Sequence, residues 1–306
     1  MSLEKMLITV PASSANLGPG FDSIGIAVNR YLTLTVQPSQ KWRFHSKSPE
    51  LKGVPEGKEN LIYEVAEHIA HELGGDLYPC DVEMVSNIPL ARGLGSSAAA
   101  IVAGIELANQ LLKANLTTDE KVRFASLWEG HPDNVAPSIY GGLIVGSHST
   151  ERTDVVYCGV PEIDLVMLVP DKELLTKKAR SILPEQLPFK EAIRGSGLAN
   201  VLVAAIMQGN WELAGQMMTR DLFHQPYRLP LVDGLEDVMN SIYELGGYGA
   251  ALSGAGPAII CFTAKNKGEA LKQTLEENYP AFSVERVEPA SEGVVVEILN
   301  SAVTER

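Results

Sequence analysis

Apolar and polar positions alternate early in the chain, at residues 6–10 (MLITV) and 31–36 (YLTLTV), and this period of two predicts strands. In the second, Leu32, Leu34 and Val36 share one face and Thr33 and Thr35 the other. Between them PASSANLGPGFDSIGIAVNR (11–30) is rich in Ser, Gly, Asn and Pro, which predicts a loop. The period then changes. Leu61, Val65, His68, Ile69 and Glu72 recur at helical spacing after Asn60, a capping residue, and Gly74-Gly75 ends the segment after about Leu73. Alternation returns over 80–88, with Val82, Met84, Ser86 and Ile88 on one side. Beyond it lies IPLARGLGSSAAA (88–100), where Ser96 or Ser97 is a natural N-cap. Ala98, Ile101, Val102, Ile105, Ala108 and Leu112 then trace a helix to about Lys113. A further helix runs from Thr118 to about Trp128, and GGLIVGS (141–147) is strand-like.

From about residue 155 the texture shifts. IDLVMLVP (163–170) predicts a short, fully apolar strand, and TKKARSILPEQLP (176–188) a loop or short helix bounded by prolines. Helices are predicted at about 190–208, 211–219, 232–245 and 267–278, strands at 249–253 and 258–263 around SGAGP, and two last strands at FSVERV and GVVVEIL. Strands come in groups rather than in βαβ alternation, so the fold class is α+β, in two halves joined near 150–160: residues 1–155 and 156–306. A chain of 306 residues, 45% hydrophobic and 21% charged, is long enough for two cores.

Charge narrows the partners. The formal net charge of −13 repels phosphate backbones and anionic lipid, so neither nucleic acid nor a membrane is expected as partner. An anionic ligand must be drawn in locally, by backbone N–H groups, a metal ion or a few placed arginines. The three cysteines, Cys80, Cys158 and Cys261, are too far apart in sequence for a zinc motif or disulfide framework and read as buried hydrophobes in a reducing compartment. MSLEKMLITV lacks the regions of a signal peptide, and no window approaches a membrane span, so a cytoplasmic location is expected.

The glycine-rich stretch has three readings. A dinucleotide fingerprint needs G-x-G-x-x-G directly after a strand; here Pro89-Leu90-Ala91-Arg92 intervene, and no acidic residue ends a second strand about 20 residues on. A P-loop is excluded because no Gly-Lys-Ser/Thr follows. A purely structural turn stays open. The remaining reading is a phosphate cradle without lysine. Gly93 and Gly95 let the backbone approach a polyphosphate, the helix start adds its positive dipole end, and the hydroxyls of Ser96 and Ser97 can bind phosphate oxygens or a cation.

PLARGLGSSAA resembles the nucleotide loop of the GHMP kinases, and LSGAGPAIICF (252–262) is similar to that family's C-terminal glycine motif. PASSANLGPGFDSIG (11–25) and EGHPDNVAPSIYGG (129–142) resemble the homoserine kinase version of the family specifically, so the resemblance covers the whole chain. It implies an N-terminal domain like ribosomal protein S5 domain 2 and a ferredoxin-like C-terminal domain, with the substrates in the cleft between. The implied reaction is ATP-dependent phosphorylation of the hydroxyl of L-homoserine, a step toward threonine. A kinase for another small alcohol and a non-catalytic nucleotide-binding regulator are the alternatives, and a homodimer is a family-level expectation.

The resemblance also implies roles. Pro89, Leu90, Ala91, Arg92, Gly93, Leu94, Gly95, Ser96, Ser97, Ala98 and Ala99 would bind nucleotide, supported by Ser253, Gly254 and Gly256, with Asn60 and Tyr63 near adenine. Asn16, Asp22 and His131 would line the homoserine site, Asp22 as the ammonium partner. Arg180 in TKKAR and Arg228 in HQPYR would clamp the carboxylate, where bidentate pairing favours arginine. Thr176 is a weaker candidate for the reacting site. Where mevalonate-kinase-like relatives carry an Asp cast as general base, this chain has Asn134, which cannot take a proton. Asp133 is expected to point away from it, so catalysis without a side-chain base is expected, Asn134 orienting the hydroxyl. For Mg²⁺ the hydroxyl candidate is Ser97. The relatives' carboxylate position falls near Arg123 and Phe124, which leaves Glu129 as the nearest acidic substitute.

Overall fold

The computed structural model describes residues 5–299. Its first sheet grows around one long strand. β1 (Lys5–Ala15) pairs antiparallel with β2 (Ile24–Pro38), whose far half carries β4 (Cys80–Ser86) and whose near half carries β5 (Leu143–His148). β3 (Arg43–Ser46) adds parallel to β4, whereas β6 (Thr153–Tyr157) pairs antiparallel with β5 and β11 (Val295–Leu299) antiparallel with the outer edge of β1. On one face lie α1 (Leu61–Glu72), α2 (Ser96–Leu112), α3 (Thr118–Glu129) and α4 (Val135–Tyr140). The second sheet has the order β10-β7-β9-β8, all antiparallel, from β7 (Ile163–Pro170), β8 (Gly249–Leu252), β9 (Ile259–Ala264) and β10 (Phe282–Val287). With it come α5 (Thr176–Ser181), α6 (Phe189–Met207), α7 (Trp211–Met218), α8 (Gln225–Arg228), α9 (Leu235–Ser241) and α10 (Gly268–Asn278).

The α+β class read from the chain is therefore the class observed. The apolar run of β7 is explained by burial on both faces: Leu165 and Met167 join the main core, Val166 and Leu168 the second one. Its Asp164 is fully buried but accepts a bond from Gly268 N, 3.0 Å, at the start of α10. In α1 the buried face is Ile62, Val65, Ala66, Ile69 and Ala70, whereas His68 and Glu72 face solvent. In α2 nearly every residue from Ala98 to Asn109 is buried, because the helix is wrapped by the sheet and its neighbours rather than half-exposed.

Several expectations are corrected. The segment 11–30 is mostly strand, and only residues 16–23 form the connecting loop. Its Ser and Ala content reflects tight packing. Ser13 and Ser14 are fully buried, with Ser13 N bonded to Leu94 O at 3.3 Å. β3, β6 and α4 gave no periodic signal, being four to six residues long. The helix expected at 232–245 shrinks to Leu235–Ser241 because Gly234, at φ 80°, starts it late. Neither serine caps α2. Gly95 does, at φ 67° and with no side-chain cap.

One contact ties the sheet to residues 131–134. A Cβ at Gly25, at the start of β2, would fall on the backbone oxygen of Asp133. We expect Gly25→Ala to cost about 1–3 kcal/mol from overpacking, seen as a lower Tm together with a reduced kcat/KM. A variant with unchanged Tm and rate would show that the 131–134 turn does not rest on β2.

Candidate active site

A pocket between the two halves is lined by Asn16, Asp22, Glu129, His131, Asn134, Thr176, Arg180 and Arg228 together with the loop residues Ala91, Gly93 and Gly95 to Ala98. Five sequence segments far apart in the chain thus meet in one cavity. The loop itself is fastened from the second half. Arg92 O accepts from Ala258 N (3.1 Å), Ala91 O from Leu174 N (3.2 Å) and Gly93 O from Ser253 Oγ (2.6 Å). The Arg92 guanidinium donates to the carbonyls of Pro170, Leu90 and Asp171, so this side chain braces the loop and is not free for phosphate. Leu94 is buried and packs in the main core, whereas Pro89 is partly exposed. Ala98 and Ala99 are buried as well, leaving the first N–H groups of α2, at Ser96, Ser97 and Ala98, without intrahelical acceptors at the pocket wall.

The glycines serve protein contacts first. A Cβ on Gly93 (φ 78°) would overlap Ser253 O, and one on Gly95 would overlap Ser13 Oγ and approach Asn134 Nδ2 at 3.2 Å. Close approach is required by the neighbouring strand and the second glycine motif as well as by any ligand. Ser253 is fully buried, bonded to Gly93 O and to Ser14 Oγ at 2.8 Å, and stands behind the pocket wall. Gly254 lines the pocket, and its carbonyl accepts from Asn16 Nδ2 (2.9 Å) and Arg228 Nη1 (3.1 Å). Gly256 packs against Leu252 and donates its N–H to Ser253 O.

Adjoining the loop through Ala91, Ser96 and Ser97 is an apolar cavity of about 310 Å³, walled by Leu32, Leu51, Val54, Ile62, Met84 and Ile88, a size that suits a small ligand. Asn60 lines it, but its amide is spent on Ile62 N and Pro55 O, the first as the cap of α1. Tyr63 faces another groove, beside Trp42, Lys58 and Glu67, so the structure separates the two adenine candidates.

Charges are concentrated at the other end. Arg180 reaches across from α5 and grips Asp22 bidentately, at 3.0 and 2.6 Å. Asp22 is held by its own N–H on Asn16 Oδ1, 2.9 Å. Arg228 is 1% exposed, with Nε on Ala179 O (3.1 Å) and Nη1 on Gly254 O and His224 Nδ1 (both 3.1 Å). Burial and the neighbouring Arg180 push its pKa down to about 10, so it stays charged at neutral pH. His224 is fully buried, and burial holds it well below its usual pKa. Its neutral Nε2–H donates to Gly18 O at 2.9 Å, which leaves Nδ1 to accept from Arg228. Asp221 fixes this turn by accepting from the N–H groups of Phe223, His224 and Gln225. The ring of Phe21 stacks on His224 and lies 5.4 and 5.5 Å from the guanidinium carbons of Arg180 and Arg228.

His131 Nδ1 meets Asp133 Oδ1 at 2.5 Å. Burial opposes charge on His131, but Asp133, Asp22 and Glu129 outweigh it and raise the pKa. Asp133, 1% exposed, lines the same pocket as Asn134, which overturns the expectation that the two neighbours point apart: the turn brings both inward. Asn134 donates to Ser13 Oγ at 3.0 Å. Glu129 also faces the pocket, and burial followed by the effect of Asp133 raises its carboxyl pKa, against the opposing charges of His131 and Arg180. Phe21, Asp133, Asp221 and His224 are the residues that motif reading passed over. Their signal was adjacency, in GFD, HPDN and DLFHQPYR, to residues it did select.

Comparison with known proteins assigns the chain to a family. The GHMP kinases N terminal domain matches residues 60–142, and the GHMP kinases C terminal domain matches 202–281. A homoserine kinase of Halalkalibacterium halodurans is 61% identical over 290 residues, 94% of each chain. One of Bacillus pumilus is 52% identical, covering 97% of this chain and 96% of its own. A crystal structure of homoserine kinase from Cytophaga hutchinsonii superposes with a TM-score of 0.82 at 29% identity, covering 97% of this chain and 98% of that one. The chain belongs to the GHMP kinase family, among its homoserine kinases.

Proposed function

We infer that this chain transfers the γ-phosphoryl group of ATP to the side-chain hydroxyl of L-homoserine, giving O-phospho-L-homoserine and ADP. The observation that carries this is one pocket in which the open N-terminus of α2 faces Asp22, Arg180 and Arg228, a set with charges complementary to a zwitterion. The ATP phosphates take the N–H groups of residues 95–98, the hydroxyls of Ser96 and Ser97 and the dipole of α2, and the base takes the apolar cavity shaped by Asn60. Homoserine lies with its ammonium toward Asp22 and its carboxylate toward the two arginines, Asn16 holding Asp22 and Gly254 in register. Residues 1–155 then supply the phosphate cradle and the HPDN turn, and residues 156–306 supply the arginines.

Oxygen donors at Ser97 and Glu129 fit Mg²⁺, which prefers hard ligands. Bound there with ATP, the ion would offset charge on the transferring phosphoryl. Asp22, His131 and Asp133 also cluster within 4.8 Å, but Asp22 is engaged by Arg180 and Asp133 by His131. The raised pKa of His131 favours the imidazolium, which is a poor base and a useful counter-charge. Asn134 positions the hydroxyl for in-line attack, and positioning with electrostatic stabilisation is most of what phosphoryl transfer requires. Thr176, exposed at the start of α5, rims the pocket on the arginine side. We further propose a cytoplasmic homodimer with no nucleic-acid or membrane partner. No helix among the described residues is long and apolar enough to cross a membrane.

A coupled ADP-release assay over homoserine, mevalonate, galactose and shikimate should show turnover with homoserine well above the rest; a preference for any other alcohol overturns the substrate. Asn134→Asp should not raise kcat, since it adds negative charge beside incoming phosphate; a clear increase with unchanged ATP KM would reveal that base catalysis was available. For the metal, Glu129→Gln should raise the Mg²⁺ concentration for half-maximal rate by about tenfold, the worth of one charged ligand contact, with a smaller change in homoserine KM. An unaltered Mg²⁺ requirement removes Glu129 from the ion's ligands.

A further inference from the structure

The substrate pocket already contains a salt bridge whose two charges match those of an amino acid. Asp22 and Arg180 come from distant segments, 158 residues apart, and close on each other by two hydrogen bonds of 3.0 and 2.6 Å. Both side chains are half-exposed, 32% and 43%, so parting them strands no charge in an apolar interior and costs little. The two cations of the site differ in freedom. Arg228 is buried and fixed by bonds to Ala179, His224 and Gly254, whereas among the described residues Arg180 hydrogen-bonds only to Asp22. Phe21 lies 5.4 and 5.5 Å from the guanidinium carbons of Arg180 and Arg228, so both cations border one aromatic ring. Asp22 stays in place through its backbone bond to Asn16. The other charged groups that face Arg180, Glu129 and Asp133, are anionic, and His131 stands on Asp133.

Resting on the assignment of Asp22 and Arg180 to the substrate, we propose that a zwitterion enters by exchange with this ion pair. The substrate ammonium takes the place of the Arg180 guanidinium on Asp22, and the released Arg180 joins Arg228 on the substrate carboxylate. The pair is then a specificity device. A ligand with both charges replaces everything that it breaks. A ligand with one charge opens the same salt bridge and leaves either Asp22 or Arg180 without a partner, so it is rejected by more than the contact it lacks.

Binding constants separate this from a static clamp. Dissociation constants are measured calorimetrically for homoserine, 4-hydroxybutanoate (carboxylate only) and homoserinol (ammonium only), on the full chain and on Asp22→Asn and Arg180→Gln. Tm and ATP affinity serve as folding controls, and Asp22→Ser and Arg180→Met, which also remove the charge, replace any variant that fails them. Homoserine should weaken about tenfold or more in both variants, having lost a charge-assisted partner. In Asp22→Asn, with Arg180 released, 4-hydroxybutanoate should bind about two- to fivefold tighter than to the unaltered protein, the worth of a half-exposed ion pair. Homoserinol should gain similarly in Arg180→Gln. If homoserine weakens but neither analogue gains, the exchange is refuted while the substrate assignment stands. If homoserine affinity is unchanged in both variants, the assignment falls, and the exchange with it.

Discussion

The contact between two glycine loops is what the rest of the site depends on. Gly93 lies so close to Ser253 that no side chain fits, and the Ser253 hydroxyl, fully buried, donates to the Gly93 carbonyl. From the same short segment, Gly254 N donates to Ala15 O at 3.0 Å, while Gly254 O accepts from Asn16 and Arg228. Strand β1, the loop before α2 and the arginine of α8 therefore share one junction of a few residues. Buried backbone groups must be paired, and here their pairing fixes the loop before α2 relative to Arg228. Displacing either loop would open several of these bonds at once.

A second constraint is electrostatic. In a chain with a net charge of −13, an anionic substrate must be attracted by charges placed at close range. Burying Arg228 serves this only because Nε and Nη1 are hydrogen-bonded: an isolated guanidinium in the interior would be too costly. The supporting turn from Asp221 to Gln225 does this with a neutral histidine as acceptor, and the same histidine ties the turn to Gly18 in the loop that carries Asp22. Positive charge, its orientation and its distance from the acidic partner are thus set by one buried polar network. At the cradle, by contrast, the attraction comes from backbone N–H groups, which carry no net charge and leave the overall balance untouched.

Much of this was legible in the chain. The helices at 61–72 and 96–112 and the strand at 80–86 follow from periodicity, because their length lets one buried face repeat, and the strand at 163–170 follows from its unbroken apolar run. The site residues were legible through motif resemblance, and Asn16, Asp22, His131, Asn134, Arg180 and Arg228 all line one pocket. The segment 11–30 was misread because small polar residues signal either a loop or a crowded strand, and only the neighbours of Ser13 and Ser14 distinguish the two.

By itself, the sequence determined the two groups of strands, the lysine-free glycine loop at the start of α2 and the supply of charges suited to a zwitterion. Tertiary structure decided what each of those residues does with its hydrogen bonds. It turned Arg92 into a brace, moved Tyr63 away from Asn60, drew Asp133 inward onto His131 and set Arg180 upon Asp22. The physical reason is that periodicity and motifs act over a few residues, whereas these pairings span up to 158 positions of the chain and exist only where distant backbones are brought within hydrogen-bond reach.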